Sequence, residues 1–273
     1  MNTEKKVPCY LALCESGEIN QRIAALDKMY SECRLCPHEC GVNRTANGRG
    51  ICRSGAFPVV ASWNNHLGEE PPISGTRGSG TIFFSGCTGK CIFCQNYPIS
   101  HLGSGVEMTS EQLADIMLEL QGRGCHNINF VTPTHFSPSI VKAVGSAAAR
   151  GLSIPIVYNT SGYERVETLR LLDGIVDIYL PDVKYSDDSV AARLSGFAGY
   201  VEHNRAALKE MYRQVGKLKI RRGCAIRGMI IRHLILPGGL AGSPEAMRYI
   251  AEQISRDVHI SLMDQYFPAY HAA

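Results

Sequence analysis

The sequence lacks the features that mark several classes of protein. No apolar run approaches the roughly 20 residues that a membrane-spanning helix needs, and the start, Met1 to Lys6, is polar with no apolar stretch like that of a secretory signal. No Lys/Arg tract is present, and the formal net charge is only +3. We therefore expect a cytoplasmic protein that binds neither a membrane nor a nucleic acid.

Charged residues are sparse as well, at 19% of the 273 residues, whereas hydrophobic residues make up 45%. This composition excludes a disordered chain and supplies a sizeable core. Eleven cysteines are present, too few for a small disulfide scaffold but clustered along the chain. Because the cytoplasm is reducing, we interpret the closely spaced cysteines as metal ligands and not as disulfides.

The chain divides into two parts by composition. Apolar residues at helical spacing over 19–30 predict an N-terminal helix. Residues 33–80 are loop-like and rich in glycine and proline, so residues 1–79 are predicted to form this helix and an irregular, cysteine-rich, metal-binding cap. After Gly80, short apolar runs alternate with helical patterns; Thr109 with Gln112 predicts a capping box, and Ser137 before Pro138 predicts another helix start. The predicted strands are 82–84, 127–131, 154–158, 175–180, 229–236 and 259–263.

This alternation predicts an α/β fold over residues 80–273, with a parallel sheet covered by helices. Six units fit either an open sheet or a partial (β/α)6 TIM-like barrel. In both architectures the chemistry lies at the carboxyl ends of the strands. Chemically active or polar residues follow the first strands there, at Cys87, Thr132 to His135, and Asn159 to Gly162.

Three cysteines follow the first of these strands in the segment Cys87-Thr-Gly-Lys-Cys91-Ile-Phe-Cys94. Three thiolates can hold three irons of a 4Fe-4S cube and leave the fourth iron open to a ligand, whereas a zinc site would need a fourth protein ligand. The C-x3-C-x2-C spacing, with Phe93 before the last cysteine, resembles the signature of the radical S-adenosylmethionine (SAM) superfamily.

The resemblance implies the cofactors, the fold and the type of reaction. It favours the partial (β/α)6 barrel, and it implies a 4Fe-4S cluster whose open iron is chelated by the amino and carboxylate groups of SAM. Reductive cleavage of SAM then gives a 5′-deoxyadenosyl radical that abstracts a hydrogen atom from the substrate. Cys87, Cys91 and Cys94 are accordingly expected to be cluster ligands of an oxidoreductase, and the cofactor to carry the radical chemistry.

Further blocks extend the resemblance over roughly residues 30–266. Residues 128–138, 158–163, 178–185, 210–216 and 232–238 look like those of a subgroup of uncharacterised proteins similar to pyruvate formate-lyase activating enzyme. This subgroup implies an activase that generates a glycyl radical in a protein substrate, supplied with electrons by a flavodoxin- or ferredoxin-type reductant. Modification of a small molecule or a peptide is the alternative within the superfamily.

The same resemblance assigns residues to the cofactor. Positions Asn159, Thr160 and Asp182 correspond to those that hold a monovalent cation beside the SAM carboxylate, and oxygen ligands suit such an ion. Lys184, on the same side of an extended segment as Asp182, is expected to neutralise the carboxylate or, alternatively, to form a local salt bridge with Asp182. Three further residues are expected to contact the cofactor: Ser161, Arg232 and His233. His233 is equally well explained as a buried core histidine.

One segment departs from the superfamily pattern. Most members follow the second strand with a Gly-Gly-Glu-Pro-like turn that holds the SAM amino group, but here the chain reads Thr132-Pro133-Thr134-His135. The glutamate is missing, so we expect Thr132, Thr134 or His135 to line the cofactor site in its place.

A second group of cysteines lies upstream, at Cys33, Cys36, Cys40 and Cys52. Four thiolates within 20 residues can close a metal site, and a cap poor in apolar residues gains stability from a metal. Zinc and an auxiliary 4Fe-4S cluster both satisfy the count, and a third possibility is that not all four are ligands. If both cysteine groups are structural or electron-transfer sites, the protein is instead a non-catalytic metal protein.

Overall fold

The computed structural model describes residues 8–272. The polar start predicted at Met1 to Lys6 lies outside this range. Within it, no helix is both long and apolar enough to cross a membrane.

A single mixed sheet runs through the described part of the chain. Its nine strands are β1 (Val59–His66), β2 (Ser79–Phe84), β3 (Val106–Glu107), β4 (Ile128–Val131), β5 (Ile156–Thr160), β6 (Ile178–Pro181), β7 (Lys219–Arg221), β8 (Cys224–Leu234) and β9 (His259–Met263). The strand order is β3-β1-β2-β4-β5-β6-β8-β7, with β9 also paired to β8.

Six strands, β2, β4, β5, β6, β8 and β9, run parallel in chain order. Their register aligns the strand ends, because Phe83 lies opposite Val131, which lies opposite Asn159 and then Leu180. The residues that follow these strands therefore meet at one edge. Among residues 8–272, no pairing joins β9 to β2, so the sheet is curved but open. The prediction of a partial (β/α)6 barrel is confirmed.

Helices cover the sheet. They are α1 (Tyr10–Glu15), α2 (Glu18–Ser31), α3 (Pro71–Ser74), α4 (Tyr97–Ser100), α5 (Ser110–Gly122), α6 (Ser137–Ala149), α7 (Val166–Leu171), α8 (Asp188–Ser195), α9 (Tyr200–Val215) and α10 (Ser243–Tyr249), which continues as a π-helical turn over Ile250–Ile254. Thr109 and Gln112 form the predicted capping box of α5. At α6 the prediction was off by one residue, because Phe136 occupies the cap position and Ser137 is already helical.

The expectation that residues 33–80 are irregular was wrong in part, because this range contains β1 and the short helix α3. Val59–His66 forms β1, which pairs antiparallel with β2 on one side and with β3 on the other. Its polar residues Ser62, Asn64 and Asn65 weaken the apolar alternation that marks a strand. The division of the chain at residue 79 remains a prediction, and β1 belongs to the same sheet as the barrel strands.

The short helix α3 fills the interior of the barrel. Ile73 is fully buried in one apolar cluster with Val157, Ile178 and Leu180, whose side chains come from β5 and β6. Asn127, just before β4, donates a hydrogen bond from Nδ2 to the carbonyl oxygen of Ile73 at 2.8 Å. The connection between β1 and β2 thus plugs the barrel and leaves the space above it, at the carboxyl ends of the strands, for a ligand.

Candidate functional site

A cavity of about 550 Å³ opens at the carboxyl edge of the parallel strands. The structure brings ten of the residues predicted for the cofactor and its cluster into its lining: Cys87, Cys91, Cys94, Thr132, Asn159, Thr160, Ser161, Asp182, Lys184 and Arg232. The volume lies within the usual range for small-molecule sites. The three cysteines and the strand-end residues therefore share one site.

The cysteine loop is fixed by backbone contacts with α8. Lys90 and Ile92 donate their N–H groups to the carbonyl oxygens of Ser195 and Leu194, at 2.8 and 2.9 Å. At Gly89 a Cβ atom would stand 2.6 Å from the Phe197 ring, so only glycine allows this close approach. The Cys87–Cys94 loop is therefore fixed against the segment that contains α8 and Phe197.

Each cysteine sulfur has a polar neighbour. Ser195 donates its hydroxyl to Cys91 Sγ at 2.9 Å, and the Gly89 N–H reaches Cys87 Sγ at 3.3 Å. The Ser100 hydroxyl lies 3.1 Å from Cys94 Sγ. Such hydrogen bonds stabilise negative charge on sulfur and raise the reduction potential of an iron–sulfur cluster.

The donor set fits a 4Fe-4S cluster. Three thiolates can hold three irons of a cube and leave the fourth iron open to another ligand, and the three thiols line one cavity. Burial, and then the nearby Cys91 thiol, raises the pKa of Cys87 to about 12. Because metals bind thiolates, loading must release protons and depends on pH.

Asp182 and Lys184 form an ion pair on the cavity wall. Lys184 Nζ lies 2.6 Å from Asp182 Oδ2, and both side chains are about one-fifth exposed, at 22% and 20%. Burial opposes the charge of Lys184, but Asp182 and Cys91 outweigh it and raise the pKa of the lysine above its ordinary value. The cavity therefore contains a fixed ammonium group beside the cysteine loop.

A second group of charges lies on the wall formed by β8 and the loop before α3. Arg232 binds Glu70 through two hydrogen bonds, of 2.7 and 2.8 Å, and also contacts Glu69. Although burial opposes ionisation, Arg232 holds the pKa of Glu70 below its usual value. Asn129 donates to Glu69 Oε1 at 3.0 Å. Two carboxylates against one guanidinium give this wall a net negative charge.

The turn that departs from the superfamily pattern is strained and rests on a buried carboxyl. Thr132, directly after β4, has φ +58, which is unusual for a β-branched residue. Two residues on, Thr134 Oγ1 donates to Glu164 Oε1 at 2.5 Å, and the Thr160 hydroxyl contacts the same oxygen. Burial raises the pKa of Glu164 to about 7 against the effect of these two bonds. Glu164 thus lies behind the threonines that face or flank the cavity.

Comparison with known families identifies the superfamily of this chain. The sequence model of the Radical SAM superfamily matches residues 81–235, which is more than half of the chain. The chain belongs to the radical SAM superfamily. Membership implies a 4Fe-4S cluster and SAM as cofactors, and SAM-dependent radical chemistry.

Two known proteins resemble this radical SAM chain. It is 30% identical to the uncharacterized protein MJ0674 of Methanocaldococcus jannaschii over 271 residues, which cover 93% of this chain and 71% of the relative. The crystal structure of HydG, a maturase of the FeFe hydrogenase, aligns with a TM-score of 0.50 at 13% identity. That alignment covers 68% of this chain but only 42% of HydG, and it shows a shared fold alone.

Three residues predicted for the cofactor do not line the cavity at the carboxyl edge of the strands: Thr134, His135 and His233. Thr134 is buried against Glu164. His233 is fully buried in β8, with Nδ1 2.6 Å from the Val183 carbonyl oxygen and Nε2 2.8 Å from the Ser243 hydroxyl. Because both ring nitrogens have protein partners, His233 fits the description of a buried core histidine. His135 turns away because the 3-10 turn Thr134–Phe136 directs its ring to the Ser85 carbonyl, 3.0 Å from Nε2.

The four upstream cysteines lie together beside the Cys87–Cys94 loop. Cys33, Cys36, Cys40 and Cys52 enclose one small space, which His38, Arg44 and His135 also line. The Glu39 N–H bonds the Cys36 carbonyl, and the Cys33 N–H bonds the carbonyl of Val42, so the first three cysteines sit on a tight loop. Their proximity was predicted from spacing; their position against the barrel was not.

Some residues of the site gave no sequence signal of their role. Phe197 and Ser195 reach the cysteine loop from about 100 residues away, and Glu164 meets Thr134 from 30 residues away. Among the site residues that were not predicted to bind the cofactor, the Glu69–Glu70 pair does have a sequence signal, because it forms an acidic turn before two prolines.

Proposed function

We propose that this protein is a radical SAM enzyme that binds SAM at a cluster held by Cys87, Cys91 and Cys94 and abstracts a hydrogen atom from a substrate in the cavity. When bound and reduced, the cluster and SAM supply the radical. The observation that carries the proposal is the single cavity shared by the three thiols, the Asp182/Lys184 pair and the strand-end oxygens.

The chain's own residues bind and orient the cofactor in this proposal. The Lys184 ammonium neutralises the SAM carboxylate. The Thr160 hydroxyl already donates its hydrogen to Glu164, so its oxygen can only accept a further bond from the cavity and suits an ammonium group. A monovalent cation at Asn159, Thr160 and Asp182 would share Asp182 with Lys184.

The size of the cavity favours a substrate that inserts a small reacting group. About 550 Å³ suits one drug-sized ligand, so a cluster and SAM fill most of it. A glycine in a protein loop has no side chain to accommodate, which supports a glycyl-radical activase. Such an activase needs a one-electron donor of the flavodoxin or ferredoxin type in the cytoplasm.

The charged wall favours a second candidate. Glu69 and Glu70 with Arg232 carry a net negative charge inside the cavity. This charge attracts a small molecule or peptide with a cationic group. Modification of such a compound is therefore the alternative reaction.

Anaerobic incubation of the reconstituted, dithionite-reduced protein with SAM tests the proposal. We expect 5′-deoxyadenosine from the wild type and from Cys125→Ala, which removes a buried cysteine outside the site, but none from Cys94→Ala. Deuterium transfer from a glycine-deuterated protein or from a deuterated cationic compound separates the two substrate classes. A fully iron-loaded wild type that cleaves no SAM would make the protein a non-catalytic metal protein.

A further inference from the structure

Two residues that follow the Cys87–Cys94 loop, Ser100 and His101, form a short hydrogen-bonded chain that ends on Cys94. Ser100 is the last residue of α4 and is buried. Its Oγ lies 3.1 Å from Cys94 Sγ and 2.7 Å from His101 Nδ1. Within residues 8–272, this hydroxyl has no other side-chain or backbone partner. Its single hydrogen therefore lies between two atoms that could accept it.

The state of Cys94 decides where this hydrogen points. A cysteine that binds iron is a thiolate, which only accepts hydrogen bonds. If Ser100 gave its hydrogen to His101, the hydroxyl oxygen would face the thiolate with lone pairs alone. If His101 Nδ1 carries a hydrogen instead, it donates to Ser100, and Ser100 donates to Cys94. Both contacts are then hydrogen bonds, so an iron-bound Cys94 favours the second arrangement.

The surroundings of His101 also favour a hydrogen on Nδ1. Burial, and then the charge of Lys90, lowers the pKa of this ring, so it is neutral at pH 7 and carries one hydrogen. Nε2 is buried and forms no hydrogen bond with residues 8–272. A hydrogen on Nε2 would be buried and unpaired, which is costly, whereas a hydrogen on Nδ1 is shared with Ser100.

Aromatic packing holds the His101 ring in this position. Its centroid lies 4.7 Å from that of Tyr270, whose ring stacks on Tyr97 at 5.1 Å. The residue after Tyr270 donates its N–H to the carbonyl oxygen of Ile92, within the Cys87–Cys94 loop, at 2.8 Å. His101 does not line the large cavity. It can therefore act on the site only through the residues that it contacts.

We propose that His101 is a positioning residue of the catalytic cluster. Its Nδ1–H holds the Ser100 hydroxyl with the hydrogen directed at Cys94 Sγ, and this hydrogen bond raises the reduction potential of the cluster. The inference rests on the proposed function only for the cluster at Cys87, Cys91 and Cys94, and it does not require cleavage of SAM.

Anaerobic redox titration of the reconstituted full chain, followed by electron paramagnetic resonance, tests the inference. The signal that Cys94→Ala lacks identifies the catalytic cluster. Ser100→Ala should lower the midpoint potential of this signal, and His101→Leu should lower it by a similar amount. His101→Asn, whose amide N–H can take the place of Nδ1–H, should restore most of the loss. His259→Leu removes an exposed histidine of β9 and should leave the potential unchanged.

The double variant Ser100→Ala/His101→Leu separates action through Ser100 from a general structural role. If His101 acts through Ser100, the double variant has the potential of Ser100→Ala alone. A further drop in the double variant, or a wild-type potential in His101→Leu, overturns the inference and leaves the proposed function intact. Should His101→Leu fail to fold, His101→Phe keeps a ring against Tyr270 without the N–H and decides in the same way. A wild type that assembles no cluster at the three cysteines overturns both.

Discussion

His38 lies between two cysteines of the upstream group. Its Nε2 lies 2.7 Å from the carbonyl oxygen of Thr88, which lies between two cysteines of the Cys87–Cys94 loop. Because a carbonyl only accepts, the Nε2 of His38 carries the hydrogen. The ring also packs edge-on against Tyr163, with centroids 5.2 Å apart. This histidine therefore ties the two cysteine segments together.

Replacing this histidine should loosen the connection. We expect His38→Leu to lower the free energy of unfolding by about 1–2 kcal/mol through loss of the hydrogen bond and a buried acceptor left unpaired. His38→Gln keeps a donor and should lose less. Anaerobic denaturant titration of both variants measures the difference, and equal losses would show that the bond to Thr88 contributes nothing.

Lys184 should control the affinity for SAM. Lys184→Met removes the fixed ammonium of the cavity. Loss of one charged hydrogen bond should raise the dissociation constant for SAM roughly 10- to 100-fold. Lys184→Arg retains the charge and should lose less. Equilibrium dialysis with labelled SAM on the oxidised holoprotein measures this directly.

The ion pair complicates this variant, because Lys184→Met leaves Asp182 without its partner. The double variant Asp182→Asn/Lys184→Met removes both charges. If the double variant regains wild-type affinity, repulsion by Asp182 explains the loss and Lys184 does not bind the cofactor.

Gly89 should be needed for cluster loading. A methyl group at this position meets the Phe197 ring at 2.6 Å, so Gly89→Ala should displace the cysteine loop and reduce iron at the catalytic site several-fold. Gly122→Ala, where a Cβ meets nothing within 4 Å, is the control. Adding Phe197→Leu to Gly89→Ala should restore part of the iron; no recovery would place the cause elsewhere.

Glu164 should make stability depend on pH. Its folded pKa of about 7 lies above the ordinary 4.5, so between these values the native state holds more protons than the unfolded state. Stability then falls as pH rises from about 4.5 to about 7 and levels off above it. Relative to wild type, Glu164→Gln should gain on the order of 2 kcal/mol between pH 5 and pH 8. Denaturant titrations at the two pH values measure this gain.

The exposed Glu245 of α10 provides the control for this comparison. Glu245→Gln should show the same pH profile as wild type. If Glu164→Gln also runs parallel to wild type, the buried carboxyl is not protonated in the native state.

The sequence predicted the parallel strands because their residues are apolar on both faces, as at 128–131 and 178–181, where burial is nearly complete. It also predicted the strand-end residues, since the register of parallel strands brings their carboxyl ends level. Strand β1, second from the edge of the sheet, was missed because its exposed polar residues Ser62, Asn64 and Asn65 interrupt the apolar alternation that marks a strand.

What the sequence did not predict depends on distant contacts. Ile73 enters the barrel because the β1 to β2 connection folds inward. The buried Glu164 accepts a hydrogen bond from Thr134, 30 residues away, as well as one from its chain neighbour Thr160. His135 follows a strand, as a cofactor residue does, but a single 3-10 turn directs it to Ser85. Local patterns contain no information on such turns of direction.

We propose that SAM binds the cluster held by Cys87, Cys91 and Cys94 in the 550 Å³ cavity. Electron paramagnetic resonance of the reduced protein, recorded during titration with SAM, measures this binding at the cluster itself. We expect SAM to shift the signal of this cluster in the wild type, and Lys184→Met to need more SAM for the same shift. A fully reduced catalytic cluster whose signal stays unchanged at saturating SAM would contradict it.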